Sequence, residues 1–200
     1  MLRLTFLLLP CCWFYVFLRM IKRLLFLPVF FSFALVCSSQ SIPKWKIEDV
    51  VRSFSAKNDT VYVVNFWATF CKPCIAEIPD FIKIVEKYKT QKVKLLLVSL
   101  DLPAYYPARV AAFAKKNKYK TNIVWLNETD ADHFCPMIDN KWSGAIPSTI
   151  IVNNKTGYRK FVEDQISPAD FEAALKAAIA KKNDALNLKD HSIDPVGEPK

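Results

Sequence analysis

Val61-Tyr-Val-Val-Asn-Phe66, running directly into Trp67-Ala-Thr-Phe-Cys71-Lys-Pro-Cys74-Ile-Ala-Glu77-Ile-Pro79, is the stretch that decides the fold. Its first part is apolar and β-branched, as a buried strand requires, and its second part has the chemistry of a helix start. Cysteines three apart on a first helical turn share a face, so their sulfurs can meet. The helix N-terminus stabilises a thiolate on the outer one, which makes Cys71 the nucleophile and Cys74 its resolving partner. Pro73 fits there because first-turn amides lack intrahelical partners, and the Lys72 charge favours the thiolate further. Two other readings of the pair stay open, a structural disulfide and half of a zinc site. Zinc needs two more ligands at similar spacing, and the distant His133 and Cys135 do not form a second C-x-x-C.

Phe66-Trp67-Ala68-Thr69-Phe70-Cys71-Lys72-Pro73-Cys74 resembles the thioredoxin active-site motif, and Ile75-Ala76-Glu77-Ile78-Pro79 resembles its continuation in the TlpA/ResA branch of envelope thiol-disulfide oxidoreductases. Val98-Ser99-Leu100-Asp101 and Ala145-Ile146-Pro147-Ser148-Thr149 extend the likeness over residues 41–182. The resemblance implies a reductase of client protein disulfides, acting through a Cys71-Cys74 dithiol/disulfide with no other cofactor. Its implied partners are client proteins with disulfides or thiols and a membrane electron donor that re-reduces the pair. It also implies a cis Ile146-Pro147 bond facing the C-x-x-C, whereas residues alone make trans the usual state. The Ile146 backbone would then pair with an extended client segment as an added strand, within a binding surface that includes Trp67, Phe70, Pro73 and Pro147.

Glu77 lies three residues after Cys74, on the same helical face. Partial desolvation would raise its pKa and suit it to take the Cys74 proton and return it; the alternative is a surface Glu paired with a lysine. Two positions depart from the family pattern. Phe70 stands where Trp is more usual, keeping an aromatic wall without its indole donor. Asn65 stands where cytoplasmic thioredoxins carry a buried Asp, and because Asn cannot exchange a proton, that task falls to another group or to water.

The chain has 200 residues and 52% apolar content, more than one globular domain needs, and the excess sits in the first 37 residues. Leu4–Leu18 and Leu24–Val36 are apolar runs separated by Arg19, Lys22 and Arg23. Both fall short of the roughly 18 residues of a spanning helix. From Met20, a possible true start, the order of charge, apolar run and Cys-Ser-Ser-Gln matches a secretory signal, so residues 1–40 are read as a signal peptide cleaved between Val36 and Ser41. The competing readings are a retained membrane anchor and lipidation at Cys37, for which Ala34-Leu35-Val36-Cys37 is a loose match because Val36 is not small. Export would place the C-x-x-C in an oxidising periplasm or cell envelope.

Residues 1–40 carry four bases, Arg3, Arg19, Lys22 and Arg23, and no acids, which leaves 24 bases against 19 acids in the rest, a net of +5. The lysines are spread between apolar helical positions, so they read as solvated faces and not as a nucleic-acid surface. Three glycines in the chain make a dinucleotide loop untenable.

Ser41–Thr60 is expected to hold a short lead-in helix or edge strand. An amphipathic helix follows the motif to about Lys89, with Pro79 inside it or restarting it. Val93–Leu100 and Asn122–Leu126 read as strands, Ala108–Asn117 as a helix, and 127–142 as a loop that can hold one helical turn. Ser148–Val152 and Tyr158–Val162 flank a turn and form a hairpin. Ser167-Pro168-Ala-Asp170 starts a last helix that buries Phe171, Leu175, Ala178 and Ile179 and ends near Lys182, with 183–200 a polar tail. The expected class is α/β and thioredoxin-like, a central mixed sheet with helices on both faces. Two functions remain open on this reading: a thiol-disulfide oxidoreductase, or a non-enzymatic binding or copper-handling module in which the cysteines are static or ligate a soft metal. A peroxidase is disfavoured because Cys71 lacks a Pro-x-x-x-Thr-x-x-Cys setting.

Overall fold

Strand β2 (Val61–Trp67) is buried at all seven positions, the condition for a strand covered on both faces. It lies inside a six-stranded sheet with β1 (Lys44–Trp45), β3 (Val93–Ser99), β4 (Asn122–Leu126), β5 (Ser148–Asn153) and β6 (Tyr158–Val162), in the order β1-β4-β3-β2-β5-β6. The computed structural model describes residues 42–190, with side chains described to residue 180. β1, β4, β3 and β2 run parallel, while β5 and β6 are antiparallel neighbours. The sheet is therefore mixed, as expected.

Side-chain alternation sorts the core into two layers. Val61, Val63 and Trp67 of β2 pack with α2 (Lys72–Lys87), α3 (Ala108–Lys116) and α5 (Pro168–Asp190). Tyr62, Val64 and Phe66 point the other way, against α1 (Ile47–Phe54) and α4 (Ala131–Ile138). Asn65 shares the parity of Val61, Val63 and Trp67, so the strand aims its one polar side chain at the α2 layer. The registry does the rest, setting Asn65 directly opposite Thr149 of β5. Phe81 of α2 stacks on Phe171 of α5 with centroids 3.9 Å apart, and Glu172 accepts from Lys87 Nζ and Tyr88 Oη, both at 2.7 Å. These contacts lock α2 to α5.

The lead-in segment is both a two-residue edge strand and a helix, with Lys46 N donating to Asp49 Oδ2 at 3.1 Å to close the first turn of α1. Pro79 lies inside α2 without ending it.

Two expectations need correction. Residues 127–142 contain a full helix, α4, because Asp130 caps it by accepting from His133 N at 3.3 Å and Phe134, Cys135 and Ile138 bury one face. His133 and Cys135 thus stand on a helix and not on a loop, and Cys135 is buried, at 3% exposure. The last helix runs on to Asp190, past the expected end at Lys182. The proposed leader and Cys37, and the tail from residue 191, lie outside the described residues. Among the described residues, no helix is long and apolar enough to cross a membrane.

Candidate active site

The site forms where β2 ends and α2 begins, at the carboxyl edge of the parallel strands. Cys71 is the N-cap of α2, and its Sγ accepts from Cys74 N at 3.3 Å, so an amide of the helix's first turn points at the sulfur that would carry thiolate charge. Cys71 and Cys74 are joined in a disulfide with Cα atoms 5.3 Å apart. Cys71 keeps 8% of its surface exposed and Cys74 none, so only Cys71 can be reached from outside, through a narrower opening than a freely exposed cysteine would offer. Lys72 and Pro73 are exposed beside it, and Phe70 is 54% exposed.

The loop before Cys71 is held by a buried carboxylate. Asp101 accepts from Thr69 N at 3.0 Å, from Thr69 Oγ1 at 2.5 Å and from Ser99 Oγ at 2.8 Å, while Trp125 Nε1 donates to its carbonyl at 2.7 Å. Asp101→Asn would turn an NH2 group toward at least one of these donors. The expected result is a loss of about 2 kcal/mol, the usual consequence of a buried donor left without an acceptor, read by urea denaturation.

The Ile146-Pro147 peptide is cis, as the resemblance implied, and the Ile146 carbonyl oxygen stands 3.8 Å from Cys71 Sγ. Pro147 is buried and Ile146 half-buried. Glu163 fixes the preceding loop by accepting from Ser143 N at 2.9 Å, from Ala145 N at 3.1 Å and from the Ser143 hydroxyl. Desolvation pushes the Glu163 carboxyl up, but those bonds together outweigh it and hold the group below the usual carboxylate range.

Trp67 does not belong to a binding surface. It is fully buried against Phe113 and Tyr119, because its parity on β2 turns it into the core beneath the α2 layer. Phe70, Pro73 and Ile146 remain as the accessible apolar surface around Cys71.

Glu77 is 3% exposed, which removes the alternative of a solvated surface pair. One oxygen accepts from Asn65 Nδ2 at 2.8 Å, and the other from the Ile166 N–H at 2.9 Å. Desolvation is the dominant influence on it and, against these two bonds and with help from the Asp164 charge, pushes its pKa up to about 7. A carboxyl one helical turn from Cys74 is therefore poised between its two forms near neutral pH. Cys135, by contrast, is an apolar-buried thiol pushed up to about 11, chiefly by burial, and packs near Gly144 behind the cis-proline loop. His133 faces Glu128 at 3.2 Å on the other side of α4.

Sequence reasoning pointed to the cysteines, Glu77 and the cis proline, and flagged Asp101 and Asn65 without finding their partners. It missed Thr149, the Ile166 amide and the Glu163 clamp. Glu163 could have been suspected, being the first acid straight after the second hairpin strand. Nothing local marks the others.

A mixed sheet with helices on both faces and a C-x-x-C disulfide on the N-terminus of the helix after a central strand defines a thioredoxin-like protein. Comparison with known proteins agrees and narrows it. The chain belongs to the AhpC/TSA family, whose sequence profile matches residues 39–158. It is similar to the thiol-disulfide oxidoreductase ResA of Geobacillus kaustophilus (26% identity over 115 residues, 57% of this chain and 60% of that protein). It is also similar to ResA of Halalkalibacterium halodurans (31% over 93 residues, 45% and 46%). The chain thus spans about three fifths, or less, of the length of these relatives. Among solved structures, a thioredoxin-related protein from Neisseria meningitidis serogroup B superposes with TM-score 0.52 at 24% identity, covering 66% of this chain and 90% of that one. A thioredoxin-family thiol:disulfide interchange protein from Chlorobium tepidum TLS gives 0.50 at 16%, covering 72% and 99%.

Proposed function

We propose that the protein is a thiol-disulfide oxidoreductase that reduces disulfides of client proteins in the cell envelope. The observation that carries this reading is the asymmetry of the pair: Cys71 is reachable and capped by a helix amide, whereas Cys74 is sealed and stands one turn from a carboxyl with a pKa near 7.

In the reduced protein the Cys71 thiolate attacks one sulfur of a client disulfide and expels the other as thiolate, leaving a Cys71-client mixed disulfide. Cys74 then passes its proton to Glu77 and attacks Cys71 Sγ. The Cys71-Cys74 bond forms, the Cys71-client bond breaks, and the second client sulfur departs as thiolate. Two electrons have moved from the dithiol to the client. A dithiol donor returns them, and the resemblance to the TlpA/ResA branch makes a membrane protein its natural source. The Ile146 backbone, beside Cys71 and next to a residue without N–H, offers an edge along which an extended client segment can lie.

Full-length protein assayed with a disulfide-bonded protein substrate and a dithiol donor tests the reading. Turnover that disappears in Cys71→Ser is the expected result, together with a Cys71-Cys74 potential low enough for the donor to reduce. A pair that stays oxidised under strong dithiol excess, with no turnover, would make it a static structural disulfide.

A further inference from the structure

Asn65 sits fully buried at the centre of β2. Its Nδ2 donates both to Glu77 Oε1, at 2.8 Å, and to Thr149 Oγ1, at 2.9 Å, while its Oδ1 is buried with no hydrogen-bond partner. Leaving the acceptor oxygen of a buried amide idle is unfavourable, and native interiors rarely do it. The arrangement suits only one of the two protonation states of Glu77. An amide NH2 is the right neighbour for a carboxylate. Against a carboxylic acid protonated on Oε1, it sets a donor against a donor.

The position of that proton is fixed by the surroundings. Glu77 Oε2 faces the Ile166 backbone N–H, a donor that cannot be exchanged for an acceptor, so an acidic proton must sit on Oε1, the oxygen facing Asn65. Half a turn of the Asn65 amide brings Oδ1 to where Nδ2 stood. In that orientation Oδ1 accepts from Glu77 Oε1–H and from the Thr149 hydroxyl, a group that donates as readily as it accepts. The idle acceptor then has two partners while Nδ2 takes the place Oδ1 left, so the turned orientation is favoured only while Glu77 carries its proton.

We propose that Asn65 is a positioning residue whose side-chain amide turns over with the Glu77 proton, presenting Nδ2 to the carboxylate and Oδ1 to the acid. The groups around Glu77 are Cys74 one turn earlier on α2, Asn65 on β2 with Thr149 of β5 beyond it, and the Ile166 amide and Asp164 carboxylate on the connector from β6 to α5. Of the groups in this hydrogen-bond network, Asn65 and Thr149 can reverse their polarity and the Ile166 amide cannot. Glu77 can therefore accept the Cys74 proton and return it while each carboxyl oxygen keeps a partner in both states. An aspartate in place of Asn65 would need a proton of its own to do the same, so the Asn that cannot exchange a proton is suited to accommodate one on its neighbour. The inference rests on the reading of Glu77 as the acceptor of the Cys74 proton.

The test is carried out on the intact protein, isotopically labelled, by following the Asn65 side-chain 15N and 1H signals and the Glu77 carboxyl 13C signal from about pH 5 to about pH 9, either side of the Glu77 midpoint. The expected result is that both residues titrate with one midpoint, the Glu77-facing Nδ2 proton moving upfield as Glu77 becomes protonated and the charge-assisted bond is lost. Glu77→Gln supplies a second arm. The introduced glutamine must give its side-chain oxygen to the Ile166 N–H and its NH2 to Asn65, which fixes Asn65 in the turned orientation. The Asn65 signals of this variant should then sit at the low-pH wild-type position at every pH. Asn65 signals that stay still through the Glu77 titration, or that keep the high-pH position in Glu77→Gln, would overturn the proposal. Failure of the underlying reading looks different: the pH-rate profile would be unchanged by Glu77→Gln while Asn65 still follows the Glu77 proton, and the amide turnover would stand without its catalytic use.

Discussion

Cys74→Ala is expected to accumulate mixed disulfides between Cys71 and client proteins, and Cys71→Ala to accumulate none, the largest effect expected of any single substitution. Cys71 is the sulfur with exposed surface and the one capped by the Cys74 amide, so it attacks whether or not the Cys74 thiol is present. Cys74, with no exposed surface, can reach a disulfide only when one of its sulfurs is Cys71. In the wild type that intramolecular attack should clear the adduct quickly, because the two Cα atoms are only 5.3 Å apart and one helical turn fixes their orientation. Non-reducing gels and mass spectrometry of the trapped species would name the client as well as count the adducts. Trapping through Cys74 in the Cys71→Ala protein would reverse the assignment of roles.

Glu77→Gln is expected to slow resolution of the mixed disulfide by about 100-fold at neutral pH, the low end of what a positioned proton acceptor contributes. The wild-type rate should fall as pH drops through about 7, where the Glu77 carboxylate is lost, and the variant should show no such fall. The same substitution changes the dependence of stability on pH, with a definite sign. The folded-state pKa of Glu77, about 7, lies above its ordinary value of 4.5, so the folded protein binds the extra proton between those values. Wild-type stability should decline as pH rises across that window, by on the order of 3 kcal/mol, and stay level above it. Glu77→Gln should lack the decline. Denaturant titrations at several pH values, alongside single-turnover kinetics, separate the two effects. A variant that keeps both the rate step and the stability slope would show that another group holds the proton.

A buried carboxyl next to a redox disulfide is unfavourable for the fold above its unfolded pKa, and the structure shows what limits that cost. The Ile166 amide and Asn65 both donate to it, which keeps the pKa near neutrality despite burial. The connector that supplies Ile166 also carries Glu163, which anchors Ser143 and Ala145 ahead of the cis proline. One short segment therefore supports both the proton site and the edge beside Cys71.

The strand-helix joint, the reach of Cys71 to Cys74 and the burial of β2 were all legible in the chain before folding was considered. Each of these follows from spacing within one element or from a chain junction, where a periodicity of two or of about 3.6 carries the information. The resemblance to the TlpA/ResA branch added Glu77 and the cis proline. Folding in three dimensions settled the remainder. Trp67 belongs to the core and not to the client surface because of its parity on a strand covered on both faces. α4 forms in spite of His133 and Pro136 because its Phe134, Cys135 and Ile138 face finds the sheet to cover. The partners of Glu77 come from positions 65 and 166, and those of Asp101 include Thr69, 32 residues away, so no local pattern could have announced them. The pKa of a carboxyl depends on what surrounds it after folding, and a chain states the identity of that group without stating how deeply it is buried or which donors reach it.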